Sequence, residues 1–257
     1  VTMDKISQNC LDYNIPAVAI VDNNNLFGAL EFCEHMSHKG IQPIIGCNLN
    51  IKSENHKGSI VLLCSRRKGY KNLIKLSSEI YINDYGEEII DFARILELNE
   101  GLICLSGGQN GLINNLLVNN QKKDALKIID KLNNTFKDRL YIELQRTGFD
   151  NVEEDLLKIA YENDIPLVAT NTSYFNQKEE FEAHDALLCI NQSTTVDAED
   201  RFRLTPDFYF KTPQEMIDLF SDIPEAIENT LEIALRCSYK VATAEPKLPR
   251  FSGLDLN

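Results

Sequence analysis

Short apolar runs rich in β-branched residues alternate along this chain with stretches whose apolar residues recur at three- and four-residue spacing. The runs are IPAVAIVD (15–22), QPIIGCNLNI (42–51), SIVLLCS (59–65), GLICLSG (101–107), RLYIELQRT (139–147) and IPLVATN (165–171). Helical spacing falls over 3–13, 25–39, 69–82, 91–98, 110–118, 122–136, 151–164, about 177–190 and 223–238. Thr212, Pro213 and Glu215 supply an N-cap, a first-turn proline and a capping-box acid, so a further helix is expected at PQEMIDLF. DFYFK (207–211) reads as a short strand or extended piece. A run that is apolar at nearly every position, as 15–22 is, predicts a strand buried on both faces. Helices between successive strands demand parallel neighbours joined by right-handed crossovers. The expectation is an α/β fold with about six or seven mostly parallel strands, closed as a barrel or left open. Neither G-x-G-x-x-G nor G-x-x-x-x-G-K-[ST] occurs, which removes the simplest case for an open nucleotide-binding sheet.

Charge limits the function. The formal net charge is −13 over 257 residues. Nucleic-acid binding draws most of its strength from Lys and Arg neutralising phosphates, so this segment is not expected to be a main DNA- or RNA-gripping surface. Acidic excess suits solvated helix faces or a basic partner protein. The seven cysteines, Cys10, Cys33, Cys47, Cys64, Cys104, Cys189 and Cys237, form no C-x-x-C pair and sit in apolar patterns. Together with the lack of a signal peptide or membrane-length apolar run, they predict a cytoplasmic protein without disulfides or structural zinc. The tail at 244–257 carries prolines and glycine and reads as a linker after a domain at 1–243.

In such folds chemistry gathers at the C-terminal ends of the strands. Those tips read Asp22–Asn23–Asn24, Cys47–Asn48, Ser106–Gly107–Gly108, Gln145–Arg146–Thr147 and Asn171–Thr172–Ser173–Tyr174. Amides, hydroxyls and glycines dominate, and Asp22 is the one clear carboxylate. The histidines lie elsewhere. His35 and His38 share a helical turn and are expected to face solvent. His56 falls in a short polar connection, and His184 lies on a helix, suited to an interface or capping role. No Ser/His/Asp or Cys/His arrangement emerges, so no catalytic residue is assigned.

The stretch IPAVAIVDNNNLFGALEFCEHMSHKGIQPIIGCNLNI resembles the PHP (polymerase and histidinol phosphatase) domain of the bacterial DNA polymerase III alpha subunit. The resemblance continues through GYKNLIKLSSEIY, NEGLICLSGG, LYIELQRTG, IPLVATN, AHDALLCI, FYFKTPQEMIDLFSDIPEAIENTLEIALRC and LPRF. It implies a distorted (β/α)7 TIM-like barrel. Metal-bearing members hold a trinuclear cluster at the strand tips, and the positions matching their ligands are changed here. Asn23 stands for a histidine, Asn48 for a glutamate, Gly108 for a cysteine, and Thr172 and Tyr174 for an aspartate and a histidine; Asp22 is kept. The His-x-His of the family's first strand would precede Val1.

Asn binds zinc poorly and Gly offers no side chain, so the resemblance implies a degenerate metal site and no cofactor in this segment. The same positions also suit a polar turn that uses asparagines for caps and turn geometry. The resemblance thus implies a metal-free structural domain of a DNA-directed DNA polymerase, a nucleotidyltransferase of DNA replication. It is expected to dock the proofreading exonuclease subunit, while DNA and magnesium are handled elsewhere in the parent protein. The alternative is an active metal-dependent 3′-5′ exonuclease or phosphoesterase. Exposed aromatics mixed with charge mark docking patches, and DYGEEIIDF (84–92) and TPDFYFKTPQ (205–214) are the candidates, with loop packing the other reading of both.

Overall fold

The computed structural model describes residues 1–82, 86–148 and 152–245. Its strands are β1 (Ala17–Asn23), β2 (Gln42–Ser53), β3 (His56–Cys64), β4 (Ile90–Asp91), β5 (Leu102–Leu105), β6 (Leu140–Leu144) and β7 (Leu167–Ala169). The helices are α1 (Met3–Asp12), α2 (Ala29–His38), α3 (Arg67–Ile82), α4 (Phe92–Glu97), α5 (Leu112–Val118), α6 (Lys122–Phe136), α7 (Glu153–Glu162), α8 (Phe181–Asn191), α9 (Pro213–Leu219) and α10 (Pro224–Arg236). The expected capping box opens α9, with Thr212 and Glu215 satisfying each other's backbone amides.

One sheet runs in the order β1-β2-β3-β5-β6-β7, with β4 paired to β2. The β1–β2, β2–β4, β5–β6 and β6–β7 pairings are parallel, and β2–β3 and β3–β5 are antiparallel. Mostly parallel strands are therefore as expected, but an uninterrupted βα alternation is not. β2 and β3 form a long hairpin that turns at Glu54–Asn55, with Ser53 opposite His56. His56, expected in a connection, is the first residue of β3. Apolar runs buried on both faces look alike in parallel and antiparallel neighbours, so periodicity could not separate the two. Among the described residues β1 and β7 do not pair, and the sheet is an open, curled arc.

The free edge corrects another expectation. β1 is half-exposed along most of its length, and Ala19 is exposed. Its apolar composition reads as two-sided burial, yet one long side has no strand partner among the described residues.

Side chains of the inner strands alternate between two packed layers. Ile45, Cys47, Leu49, Leu62, Cys64, Cys104, Ile142 and Leu144 face the large cluster with Phe32, Met36, Leu73, Leu76, Ile129 and Phe136 of the helices. Ile44, Val61, Leu63, Ile103, Leu105, Tyr141 and Val168 face the opposite layer, which α10 covers with Ile233. α10 lies across the starts of the strands. Gln42, opening β2, donates to the carbonyls of Ala234 and Cys237 at 2.7 and 3.2 Å. Asn229 donates to the carbonyl of Leu167, opening β7, at 2.8 Å. α10 thus covers the starts of β2 and β7. α3 begins against the loop before β5 so closely that a Cβ on Gly69 would lie 1.9 Å from the Gly101 carbonyl oxygen. Only glycine fits there.

All seven thiols are buried. Burial pushes Cys10 up to about 11, and Cys47 and Cys237 to about 12, which keeps them protonated and unreactive. DFYFK forms no regular strand. It bridges once to the segment after β7, at Phe175 and Tyr209. No helix among the described residues is long and apolar enough to cross a membrane.

Candidate functional site

The three asparagines after β1 do three different things. Asn23 is exposed and sits opposite Asn48 in the parallel register, accepting a hydrogen bond from the Asn48 amide at 2.9 Å. Asn24 is buried, 2% exposed, and takes the left-handed backbone conformation with φ 59°. Its side chain donates to the Glu88 carbonyl at 3.1 Å and accepts from the Asn50 amide at 2.9 Å. Its own carbonyl accepts from Ser77 Oγ of α3 at 2.8 Å. Asn25 makes a local turn, accepting from the Phe27 amide at 3.1 Å and donating to the Asn23 carbonyl at 2.9 Å. Side-chain amides that mimic backbone groups stabilise such turns, and this turn delays α2 to Ala29. Asn25 therefore builds the local turn, Asn24 fastens it to β2 and to the Glu88 segment, and Asn23 pairs side chain to side chain with Asn48. Asp22, beside Cys47 in the register, is half-buried, and loss of water pushes its carboxyl above the usual range.

The second group of tips holds a carboxylate that pattern reading missed. Glu143 lies inside β6, where all five residues are buried, and is itself 4% exposed. Its Oε1 accepts from Thr170 Oγ1 at 2.5 Å and from Gln145 Nε2 at 3.2 Å. Its Oε2 accepts from the Gly107 amide at 3.2 Å, and its backbone N–H donates to Ser106 Oγ at 2.9 Å. Burial pushes the Glu143 carboxyl up, opposed by the hydrogen bonds from Thr170, Gly107 and Gln145. The signal that could have found it is one acid in the otherwise apolar run LYIEL.

Gln145 also donates to Thr170 Oγ1 at 2.9 Å and Thr172 Oγ1 at 3.2 Å. Gly108, with φ 54°, sits directly beneath this side chain. A Cβ there would lie 2.7 Å from Gln145 Cδ. Of the expected site positions, then, Asn23 and Asn48 meet each other, and Gly108 and Thr172 meet at Gln145. Tyr174 stands apart. Its amide donates to the Phe208 carbonyl at 2.9 Å, and its ring packs near Phe208 and His184.

The histidines stay away from both groups. His38 is exposed as expected, but His35 packs on α1, 3.0 Å from Ser7 Oγ. His56 lies 3.8 Å from Asp124. His184 is half-buried among Tyr174 and Phe175, and burial lowers its pKa. Among the described residues no group of three or more His, Cys, Asp or Glu is placed to hold a metal ion. The side chains at the tips are amides, hydroxyls, Glu143, whose carboxylate the chain already holds, and Asp22 at the end of β1. They do not fit the trinuclear cluster of metal-bearing relatives.

Both docking candidates turn inward. Phe208 is buried, and Tyr209 and Phe210 pack against the core. Ile89, Ile90 and Phe92 are buried, and the Glu88 carbonyl holds Asn24. Residues 84–85 of the first candidate lie outside the described residues. The described aromatics of both segments thus pack inward, while Gly86, Glu87, Glu88, Pro213 and Gln214 stay exposed.

A family model for the PHP domain matches residues 1–147. The chain belongs to the PHP domain family. Over its whole length this PHP domain chain is similar to DNA polymerase III alpha subunits. It is 38% identical to the subunit of Caulobacter vibrioides over 96% of the chain and 23% of that protein. It is 37% identical to that of Rickettsia felis over 100% of the chain and 22% of that protein. The chain spans about a quarter of the length of these curated relatives. A solved structure from Bifidobacterium adolescentis, provisionally named as a metal-dependent phosphoesterase, aligns at TM-score 0.42 and 13% identity over 66% of this chain and 81% of that one. That likeness is too distant to build on.

Proposed function

We propose that this chain is the PHP domain of a DNA polymerase III alpha subunit, and that it serves there as a metal-free structural domain that docks the proofreading exonuclease subunit. The observation that carries the reading is the 36–38% identity to proteins of that name along the whole chain. The metal-free part is supported by the strand tips, where amides and a glycine stand at the ligand positions and Glu143 is already saturated. The docking part is supported by the acidic charge of −13, which favours protein contacts over phosphate contacts. DNA, magnesium and nucleotidyl transfer belong in this reading to other parts of the parent polymerase, in the cytoplasm. The free, apolar edge of β1 suits a further strand of the domain, preceding residue 1, and residues 244–257 lead on as a linker.

The test is capture. The purified chain, and the parent polymerase carrying it, are incubated with the exonuclease subunit and analysed by size exclusion and calorimetry. A stoichiometric complex is expected. No complex with folded protein would refute docking. Stoichiometric manganese or zinc together with 3′-5′ exonuclease activity would instead favour an active metal-dependent nuclease.

A further inference from the structure

The Gln145 carboxamide occupies a singular position. Its nitrogen lies within 2.9–3.2 Å of three oxygens, Glu143 Oε1, Thr170 Oγ1 and Thr172 Oγ1. These come from the end of β6 and from the segment after β7. An –NH2 group has only two hydrogens, so two of the three acceptors share one of them. The carboxylate's other oxygen is held by the Gly107 amide at the end of β5. The volume that the amide fills exists only because residue 108 lacks a side chain: a Cβ there would fall 2.7 Å from Gln145 Oε1 and 2.8 Å from Nε2. A group of oxygens converging on one electropositive centre, around a buried carboxylate with no Lys or Arg among its hydrogen-bond partners, is the arrangement a bound cation ordinarily satisfies.

We infer that Gln145 is a built-in surrogate for a cation. Its amide takes the space vacated at Gly108, gathers the acceptors at the tips of β6 and β7 around Glu143, and leaves a metal ion neither room nor free donors. Gly108 and Gln145 act as a pair, one supplying the volume and the other the positive end of a dipole. The inference rests on the metal-free part of the function proposed above and is independent of exonuclease docking.

The test compares Gln145→Met, Gln145→Ala and Gln145→Glu with the unaltered chain by thermal unfolding, in chelator and in millimolar Mn2+. Gln145→Met keeps most of the shape and loses the donor. It is expected to lower Tm by roughly 4–10 °C, as loss of hydrogen bonds to a buried charged group should in a chain of this size. Gln145→Glu places a second carboxylate against Glu143. It is expected to lower Tm by about 8–16 °C in chelator and to recover at least half of that loss in Mn2+. The unaltered chain should not respond to Mn2+. A Gln145→Met chain with unchanged Tm would show that the side chain only fills space, and would overturn the inference. So would a Gln145→Glu chain that folds but ignores Mn2+. If Gln145→Glu does not fold at all, Gln145→Met and Gln145→Ala still decide. An unaltered chain that retains stoichiometric metal would defeat both the surrogate and the metal-free reading, whereas failure of the Met variant in a metal-free chain defeats the surrogate alone.

Discussion

Replacing Asn24 separates the turn-building role of the asparagine triplet from any role at the site. In Asn24→Ala the Asn50 amide loses its side-chain partner, and the Glu88 carbonyl is left with the longer bond from Asn50 Nδ2 at 3.4 Å. Each such hydrogen bond contributes a net of about 0.5–1.5 kcal/mol, and Glu88 and Asn50 are both exposed and can turn to water, so the two together cost about 2 kcal/mol. Alanine must also adopt φ near 59°, which adds about 1 kcal/mol. The sum of about 3 kcal/mol corresponds to a fall in Tm of roughly 6–12 °C for a domain of this size. Asn24→Gly removes the backbone penalty but not the lost hydrogen bonds, so it should cost about 2 kcal/mol. Asn25→Ala loses two exposed turn contacts and should cost about 1 kcal/mol, and exposed Asn23→Ala less still. Urea unfolding of the four variants at constant m-value measures the ranking. If Asn23→Ala destabilises as much as Asn24→Ala, the division of labour within the triplet is wrong.

Other positions give independent tests. Arg146, after β6, reaches Glu153 at 2.5 Å and Asp222 at 2.7 Å, and lies 4.7 Å over the Phe220 ring. Arg146→Met should cost about 2 kcal/mol, mostly from breaking the charge-assisted pair with half-buried Glu153, because exposed Asp222 contributes under about 1 kcal/mol; thermal unfolding of the variant alone and with Glu153→Gln tests this, the pair being less destabilised than the two single changes added together. Asp185, buried on α8, pairs with Arg201 at 2.6 and 2.7 Å. Asp185→Asn should loosen the segment that Arg201 pins, so trypsin should cut at Arg201 and Arg203 at least several-fold faster while the sheet's amide protection holds. Acid should unfold the chain by the same logic. Arg201 holds Asp185, Arg146 holds Asp222 and Arg94 holds Glu79 below their ordinary values of 3.8, 3.8 and 4.5. A depressed folded-state pKa gives stability that is present above the unfolded value and lost as pH falls through the folded one. Stability by urea titration should therefore fall as pH drops below about 4, with Asp22 and Glu143, whose carboxyls burial raises, opposing that slope, and Asp185→Asn should flatten part of it.

Much of the fold could be read in the residues because local propensity and burial agree there. α6 occupies 122–136 as its spacing predicts, and Thr212–Pro213–Glu215 opens α9. What escaped reading depends on contacts distant in sequence. The β2–β3 hairpin was hidden because both strands are apolar on two faces in any pairing. The half-exposure of β1 was hidden because an edge is a property of the sheet and not of the strand. The two-residue β4 exists because Ile90 and Asp91 lie beside Ile51 and Lys52, and two residues carry no period.

The strand tips were half-legible for a sharper reason. Asp22 and Asn23 close their strand and so announce themselves, and Asn48 is a polar break within QPIIGCNLNI. Glu143 sits inside a run, and its meaning depends on what Thr170, Gln145 and Gly107 bring to it from other strands. Once those partners are in place, the two halves of the tip end answer one physical problem in the same way. At Asn23 and Asn48, paired in register with a 2.9 Å contact, two carboxylates would repel by about 4 kcal/mol at ~4 Å and an effective dielectric of ~20. An amide donor against an amide acceptor removes that repulsion without a cation. At Glu143 the acid is kept, and the neutral donor comes from Gln145 above Gly108. A variant that restored a carboxylate at Asn48 alone would face Asn23, whose amide can turn to donate, and should be tolerated with a change of under about 1 kcal/mol. Carboxylates placed at both Asn23 and Asn48 should cost more than the two single changes added together. That non-additivity, measured in a double-mutant cycle, is the signature of a pair kept neutral because nothing positive stands between its members.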